Sequence, residues 1–251
     1  MTSPCLLALD TATDVCAVAL LRGHELVERA ETVTNLHSER LIPMAQQLLA
    51  EAGVTLAQLD AVAFGAGPGS FTGLRIACGV AQGLAYGIDR PVVPVGNLAA
   101  LALNVRAAAP QARRIVAAID ARMQEVYWAV FDSDAVDEAA LVEVVSPSLS
   151  SAADLPAALA TLGGSVDTLA GEAWTQFASL LDAVPAARRL PQVRASASAI
   201  ARLAARALAR GEALAPQLAA PVYVRDRVAQ TIDERRAARE VVAAAAAGTA
   251  A

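Results

Sequence analysis

Apolar and polar positions alternate at the start of the chain and then shift to helical spacing. The segments "CLLALDTAT" and "VCAVALLRGHELVERAETV" read as three strands joined by turns at Asp10–Asp14 and Arg22–His24. Links this short favour antiparallel hairpins. In "NLHSERLIPMAQQLLAEAG" the period changes: Leu41, Ala45, Leu48, Leu49 and Ala52 share one helical face, and Gly53 supplies a stop. Pro43 lies inside this pattern, so a kink or a helix start is expected near it. "LDAVAFGAG" fits a buried strand and leads into a second helix, about 71 to 87. "PVVPVG" is a further strand, and "NLAALALNVRAAA" a helix with Asn97 as its expected cap.

A second cycle follows. "RRIVAAIDARMQEVYWAVFDSD" again reads strand, turn, strand, and "ALVEVVSP" a third; the helix "SASAIARLAARALARG" and the extended "PVYVRD" come later. Each half opens with a hairpin whose first strand ends in an aspartate, Asp10 or Asp120. The expectation is a duplicated α/β fold with strands of mixed direction and flanking helices. Its divisions are an N-terminal lobe over 1–100, a C-terminal lobe over 101–229, and a helical or frayed tail over 230–251.

Composition narrows the function classes. The net charge of −5 argues against a chain that grips nucleic acid alone through a basic face, and 4% aromatics supply little for base stacking. The N-terminus lacks a basic n-region, and no stretch reaches the roughly 18 apolar residues of a transmembrane helix. Cys5, Cys16 and Cys78 are odd in number and sit among apolar residues, which suits free thiols in a reducing compartment. A cytoplasmic protein without membrane contact is expected.

The stretch "FGAGPGSFTGLRIACGVAQGLAYG" (64–87) looks like a phosphate loop opening a helix. It contains no lysine, so the P-loop pattern fails; the dinucleotide pattern fails at Ser70 and Thr72. Gly65, Gly67, Pro68, Gly69 and Ser70 then read as a structural turn, with Ser70 or Thr72 capping the helix. Ser70 lacks the G-x-S-x-G context of a hydrolase nucleophile, because Thr72 follows Phe71. His24 and His37 lie thirteen positions apart, and the cysteines lack zinc spacing, so no metal ligand set is expected. Along helix 71–87, Gly79, Gly83 and Gly87 are four apart, as are Gly73, Ala77, Ala81 and Ala85. Such small faces permit close approach, either to the helix's own sheet or to another protein.

The duplicated plan resembles the actin, sugar kinase and Hsp70 superfamily, whose two opening hairpins clasp ATP phosphates. More closely, "LALDTAT" (7–13), "HSERLIP" (37–43), "GAGPGSFTGLRIACGVAQGLA" (65–85), "IDARMQEVYWAVF" (119–131) and "PVYVRDRVA" (221–229) resemble the TsaB family. The resemblance implies a two-lobed actin-like fold and a non-catalytic subunit of the bacterial machinery that makes threonylcarbamoyladenosine in tRNA. It implies a TsaD partner that carries the metal and transfers the group to N6 of adenosine 37. It further implies a TsaE ATPase at or near their interface, a homodimer when TsaD is absent, and tRNA contact only through the complex. The partner surface it implies is formed by the helices bearing His37, Leu41, Ala45, Leu48, Leu49, Arg75, Gly79, Ala81 and Gly83. The sequence departs from the superfamily's Asp-x-Gly hairpins at both places: Ala12 and Arg122 stand where the glycine would, and Ala121 follows Asp120. No cofactor is expected at either hairpin, since a Cβ crowds the approach that glycine allows. Asp10 and Asp120 remain either cleft acids or closures of their own turns. The rival reading is an actin-superfamily ATPase, a kinase or a peptidase acting alone.

Overall fold

The N-terminal alternation folds as an antiparallel meander in the computed structural model, which describes residues 4–133, 141–163, 165–177, 180 and 188–225. β1 (Cys5–Asp10) pairs with β2 (Val15–Arg22), and β2 with β3 (Glu25–Thr32). β4 (Ala61–Gly67) joins β1 in parallel and β5 (Val92–Gly96) joins β4, giving the order β3-β2-β1-β4-β5. Parallel neighbours need crossovers, and α1 (His37–Glu51) and α2 (Phe71–Gly87) supply them.

Two right-handed crossovers made in the same sense put both helices on one face of the sheet. Leu7 and Leu9 of β1 turn to that face and share a core with Leu41, Leu48, Ala77 and Ala81. Leu6 and Ala8 turn to the other face, which no helix of the first half covers alone. The cover is α6 (Ala197–Ala209), which returns after the second sheet and packs Ala197, Ile200, Ala201 and Ala204 there.

The second half repeats the plan. β6 (Arg114–Arg122), β7 (Glu125–Ser133) and β8 (Leu141–Ser151) form a meander, while β9 (Thr168–Ala170) and β10 (Arg188–Leu190) add in parallel. Read from its own third strand, the order β8-β7-β6-β9-β10 is that of the first sheet. Each sheet with its covering helices forms one lobe, and the two lobes share a strand plan. α3 (Asn97–Ala108) covers one face of the second sheet, with Leu98 and Leu101 among Ile115, Ala117 and Phe131. α4 (Leu155–Ala160) and α5 (Ala173–Gln176) cover the other face around the buried Trp174, whose indole N–H donates to the Ala170 carbonyl at 3.1 Å.

Packing therefore departs from the linear division at residue 100. That cut runs through α3, and it assigns α6 to the lobe whose sheet it does not cover. Amphipathic spacing shows that a helix must bury a face, but not against which sheet. The tail expected over 230–251 lies outside the described residues. α1 continues through Pro43 and does not begin there: it starts at His37, six residues earlier. Among the described residues no helix is long and apolar enough to cross a membrane.

Candidate functional site

The two hairpin turns are closed by their own aspartates. Asp10 accepts the Ala12 N–H at 3.1 Å, and Asp120 accepts the Arg122 N–H at 2.8 Å. Each carboxylate thus binds the backbone donor two residues on, the geometry of an Asx turn. A phosphate approaching either hairpin would meet a carboxylate already on the turn's amide. Asp10 is the more enclosed of the two, at 4% exposure. Burial pushes its carboxyl up to about 6 against the opposing pull of a hydrogen bond from Asn97.

Asn97 does not cap α3 as its sequence position suggests. Gly96 holds the cap position, and the Asn97 side chain is buried. Its amide N–H donates to Asp10 at 3.0 Å, and its carbonyl oxygen accepts the Gly67 N–H at 2.8 Å. One side chain therefore ties the first hairpin to the glycine-rich turn. Nothing local in "PVGNLAAL" announces this, because the partner residues lie far along the chain.

The glycines of that turn seat protein, not anion. A Cβ at Gly73 would overlap the Thr11 carbonyl oxygen, and the Thr11 hydroxyl donates to the Gly73 carbonyl at 2.6 Å. A Cβ at Gly67, whose φ is +126°, would lie 2.6 Å from the Val222 carbonyl oxygen. The Ser70 N–H is paired with the Ala12 carbonyl at 2.8 Å, and the Ser70 hydroxyl accepts the Gly73 N–H at 3.3 Å. Ser70 thus caps α2, and its hydroxyl faces a backbone amide instead of a histidine. Gly65, Pro68 and Gly69 complete the passage from β4 into that cap.

α1 and α2 divide sharply into inner and outer faces. Leu41, Ala45, Leu48, Leu49 and Ala81 are buried in the first lobe's own core, so these five side chains are closed to any partner of the folded chain. The apolar helical face marked a core, because α1 must cover the sheet before it can meet anything else. The outer faces carry different residues. Gly79 and Gly83 are exposed, and a Cβ on either would meet nothing within 4 Å. Tyr86 is 75% exposed, Phe71 and Ile42 about two-fifths. Arg75 is exposed with its guanidinium 3.7 Å over the Phe71 ring, and it donates to the Tyr223 hydroxyl at 2.9 Å. His37 is partly buried at the start of α1, its Nε2 without a hydrogen-bond partner. Tyr86 falls off the buried period of α2, which is the signal that finds it; Ile42 and Phe71 lie three and seven positions before buried residues, so spacing alone places them inward.

Among the described residues no three histidine, cysteine or acidic side chains cluster as metal ligands. The cysteines are free, and burial pushes the Cys16 thiol up to about 11, so it carries no thiolate at neutral pH.

The family model described as TsaD, tRNA N6-adenosine threonylcarbamoyltransferase, matches residues 30–232. A solved structure titled YeaZ from Pseudomonas aeruginosa superposes with a TM-score of 0.75 at 37% identity, covering 88% of this chain and 99% of that one. A second structure, of a P. aeruginosa protein titled as similar to peptidase YeaZ, gives 0.77 at 38% identity, covering 88% and 100%. The chain belongs to the TsaB (YeaZ) family. TsaB of Haemophilus influenzae, named a tRNA threonylcarbamoyladenosine biosynthesis protein, is 52% identical over 49% of this chain and 52% of its own length. TsaB of Escherichia coli is 44% identical over 51% and 55%. The chain thus spans about half the length of these curated TsaB relatives in alignment.

Proposed function

We propose that the chain is a non-catalytic, partner-binding subunit in the synthesis of threonylcarbamoyladenosine in tRNA. It docks a TsaD subunit through the outer faces of α1 and α2 and supports transfer of the threonylcarbamoyl group to N6 of adenosine 37. The observation that carries this reading is the outer face of α2, where Gly79 and Gly83 leave open space between the exposed rings of Phe71 and Tyr86. Each helical glycine costs about 1 kcal/mol against alanine, and neither is compensated by a contact inside the chain. A helix from a partner crossing at this notch supplies the compensation. Metal and transfer chemistry belong to TsaD, a TsaE ATPase joins at or near the interface, and a second copy of the chain takes the same surface when TsaD is absent. The acidic net charge of −5 fits a subunit that reaches tRNA only through the complex.

Reconstitution tests this directly. tRNA modification by the purified partners should depend on adding the full-length chain, and Gly83→Arg should abolish both TsaD pull-down and modification while the chain stays folded. Modification at full rate without the chain would refute the subunit role.

A further inference from the structure

After α6 the chain runs back along the first lobe as a strap with one 3-10 turn at Pro216–Leu218. Leu214 exchanges backbone hydrogen bonds with Val92 of β5, at 2.8 and 2.9 Å. The Pro216 carbonyl accepts from the Gln82 side chain at 2.9 Å, on α2. The Val222 N–H donates to the Ala66 carbonyl at 2.7 Å, beside Gly67. Tyr223 stacks on Phe71 with ring centroids 5.5 Å apart and accepts from Arg75. To this point every contact is with the first lobe.

Arg225 then crosses to the second lobe. Its guanidinium donates to the Ala121 carbonyl at 2.8 Å, pairs with Glu125, and sits 5.9 Å from the Tyr127 ring centroid. These groups flank the β6–β7 turn, where Arg122, Met123 and Gln124 all hold positive φ, at 65°, 56° and 62°. Three consecutive non-glycine residues in the left-handed region are costly, of order 1 kcal/mol or more each, and persist only where surroundings hold them. Arg225 grips both ends of that turn. Its side chain is only 15% exposed, so the ion pair is shielded more than a surface pair.

Among the described residues the lobes are also joined through α3, whose Ala100 and Leu103 pack in the α6 core while Leu98 and Leu101 pack under the second sheet, and through Leu141 and Ala195, which touch both cores. We propose that residues 214–225 are an interlobe strap, with Arg225 as the bolt that fixes the angle between the lobes from within the chain. The second hairpin is thereby gripped by a guanidinium. The strap holds the lobe arrangement whether or not nucleotide or partner is present, and it borders the docking surface at Phe71 and Arg75.

The test uses the full-length chain without partners, comparing wild type, Arg225→Ala and Glu125→Gln by amide hydrogen exchange and small-angle X-ray scattering. Arg225→Ala should accelerate exchange tenfold or more at the Val222 amide and at the amides of 122–125, with the interiors of β1 and β2 unchanged. Its scattering should show a larger radius of gyration than wild type. Glu125→Gln should move the same amides in the same direction by a smaller factor. Wild-type exchange at both places in a folded Arg225→Ala chain overturns the proposal. Acceleration at Val222 alone, with an unchanged scattering curve, also overturns it, because the segment would then adhere to one lobe without bolting two. Should Arg225→Ala fail to fold, Arg225→Gln keeps the stem and reads the same contacts against the same two outcomes.

Discussion

Asp10 joins its own turn to α3 through one oxygen, which accepts from the Ala12 backbone and from the Asn97 amide. Burial outweighs those bonds and holds its carboxyl at about 6, above the ordinary 3.8. The sign of the pH effect follows: between roughly pH 4 and pH 6 the folded state binds more protons at this site than the unfolded state. Stability contributed by Asp10 is therefore full below the unfolded value and is lost as pH rises through 6. A shift of this size corresponds to about 3 kcal/mol. Urea melts at pH 4.5 and 7.5 should show Asp10→Asn losing less stability over that interval than wild type, and wild-type NMR should place the carboxyl inflection near 6. An equal pH slope in the two proteins would show that Asp10 ionises without cost. The aspartates at both hairpins are legible in the sequence as turn closures, since their own neighbours complete the motif. Asn97 is not, because its partners Asp10 and Gly67 are brought to it only by the parallel pairing of β4 with β1 and β5. The glycines are legible as a turn, but Thr11 and Val222, the atoms they make room for, are not.

At the scale of elements, periodicity locates α2 and the end of α1, while Pro43 leaves the start of α1 open, and it does not decide which way either helix faces. Leu48 and Gly83 turn that question into an experiment, for they lie on the inner and outer sides of the pair. Leu48→Asp places an unpaired charge in the first core, where breaking burial costs several kcal/mol, so the chain should lose its cooperative thermal melt outright. Leu48→Ala should cost about 2–5 kcal/mol and leave a folded protein. Ala81→Arg belongs with Leu48→Asp, since Ala81 has no exposed surface into which a guanidinium could extend. Gly83→Arg should melt within a degree or two of wild type or slightly above it, because it gains helix propensity and meets no neighbour. Circular dichroism melts of the four variants check the division. A Gly83→Arg chain as unstable as Leu48→Asp would mean that the outer face is packed within the chain. The sequence shows small and large residues on these helices; only the sheet's demand for cover decides that the large apolar face turns inward.

At the scale of the whole molecule, the duplication is legible because each half repeats hairpin, strand, helix with an aspartate at the same place. The exchange of α3 and α6 between lobes is not, since it depends on which faces the crossovers leave bare. The duplicated hairpins also determine how the molecule meets nucleotide. A phosphate-clasping hairpin offers free backbone N–H groups and a glycine that lets the anion approach. Here the Ala12 and Arg122 amides are both donated to carboxylates of their own turns. Ala12 and Ala121 are buried with their side chains in the turns, and the Ala12 carbonyl is held by the Ser70 amide. An incoming triphosphate must displace a carboxylate at each hairpin while facing its charge at close range, which costs several kcal/mol at each site in a partly buried setting. Two such costs reduce a micromolar affinity by several powers of ten. Titration calorimetry of the isolated full-length chain with magnesium ATP should therefore give no saturable heat at micromolar concentrations, and no phosphate release above background. Asp10→Gly together with Asp120→Gly frees both amides, yet the alanines remain at the turns, so this variant should gain at most weak, millimolar binding. Micromolar affinity in the wild-type chain would mean that the turns open readily and that their carboxylates are no barrier to an anion.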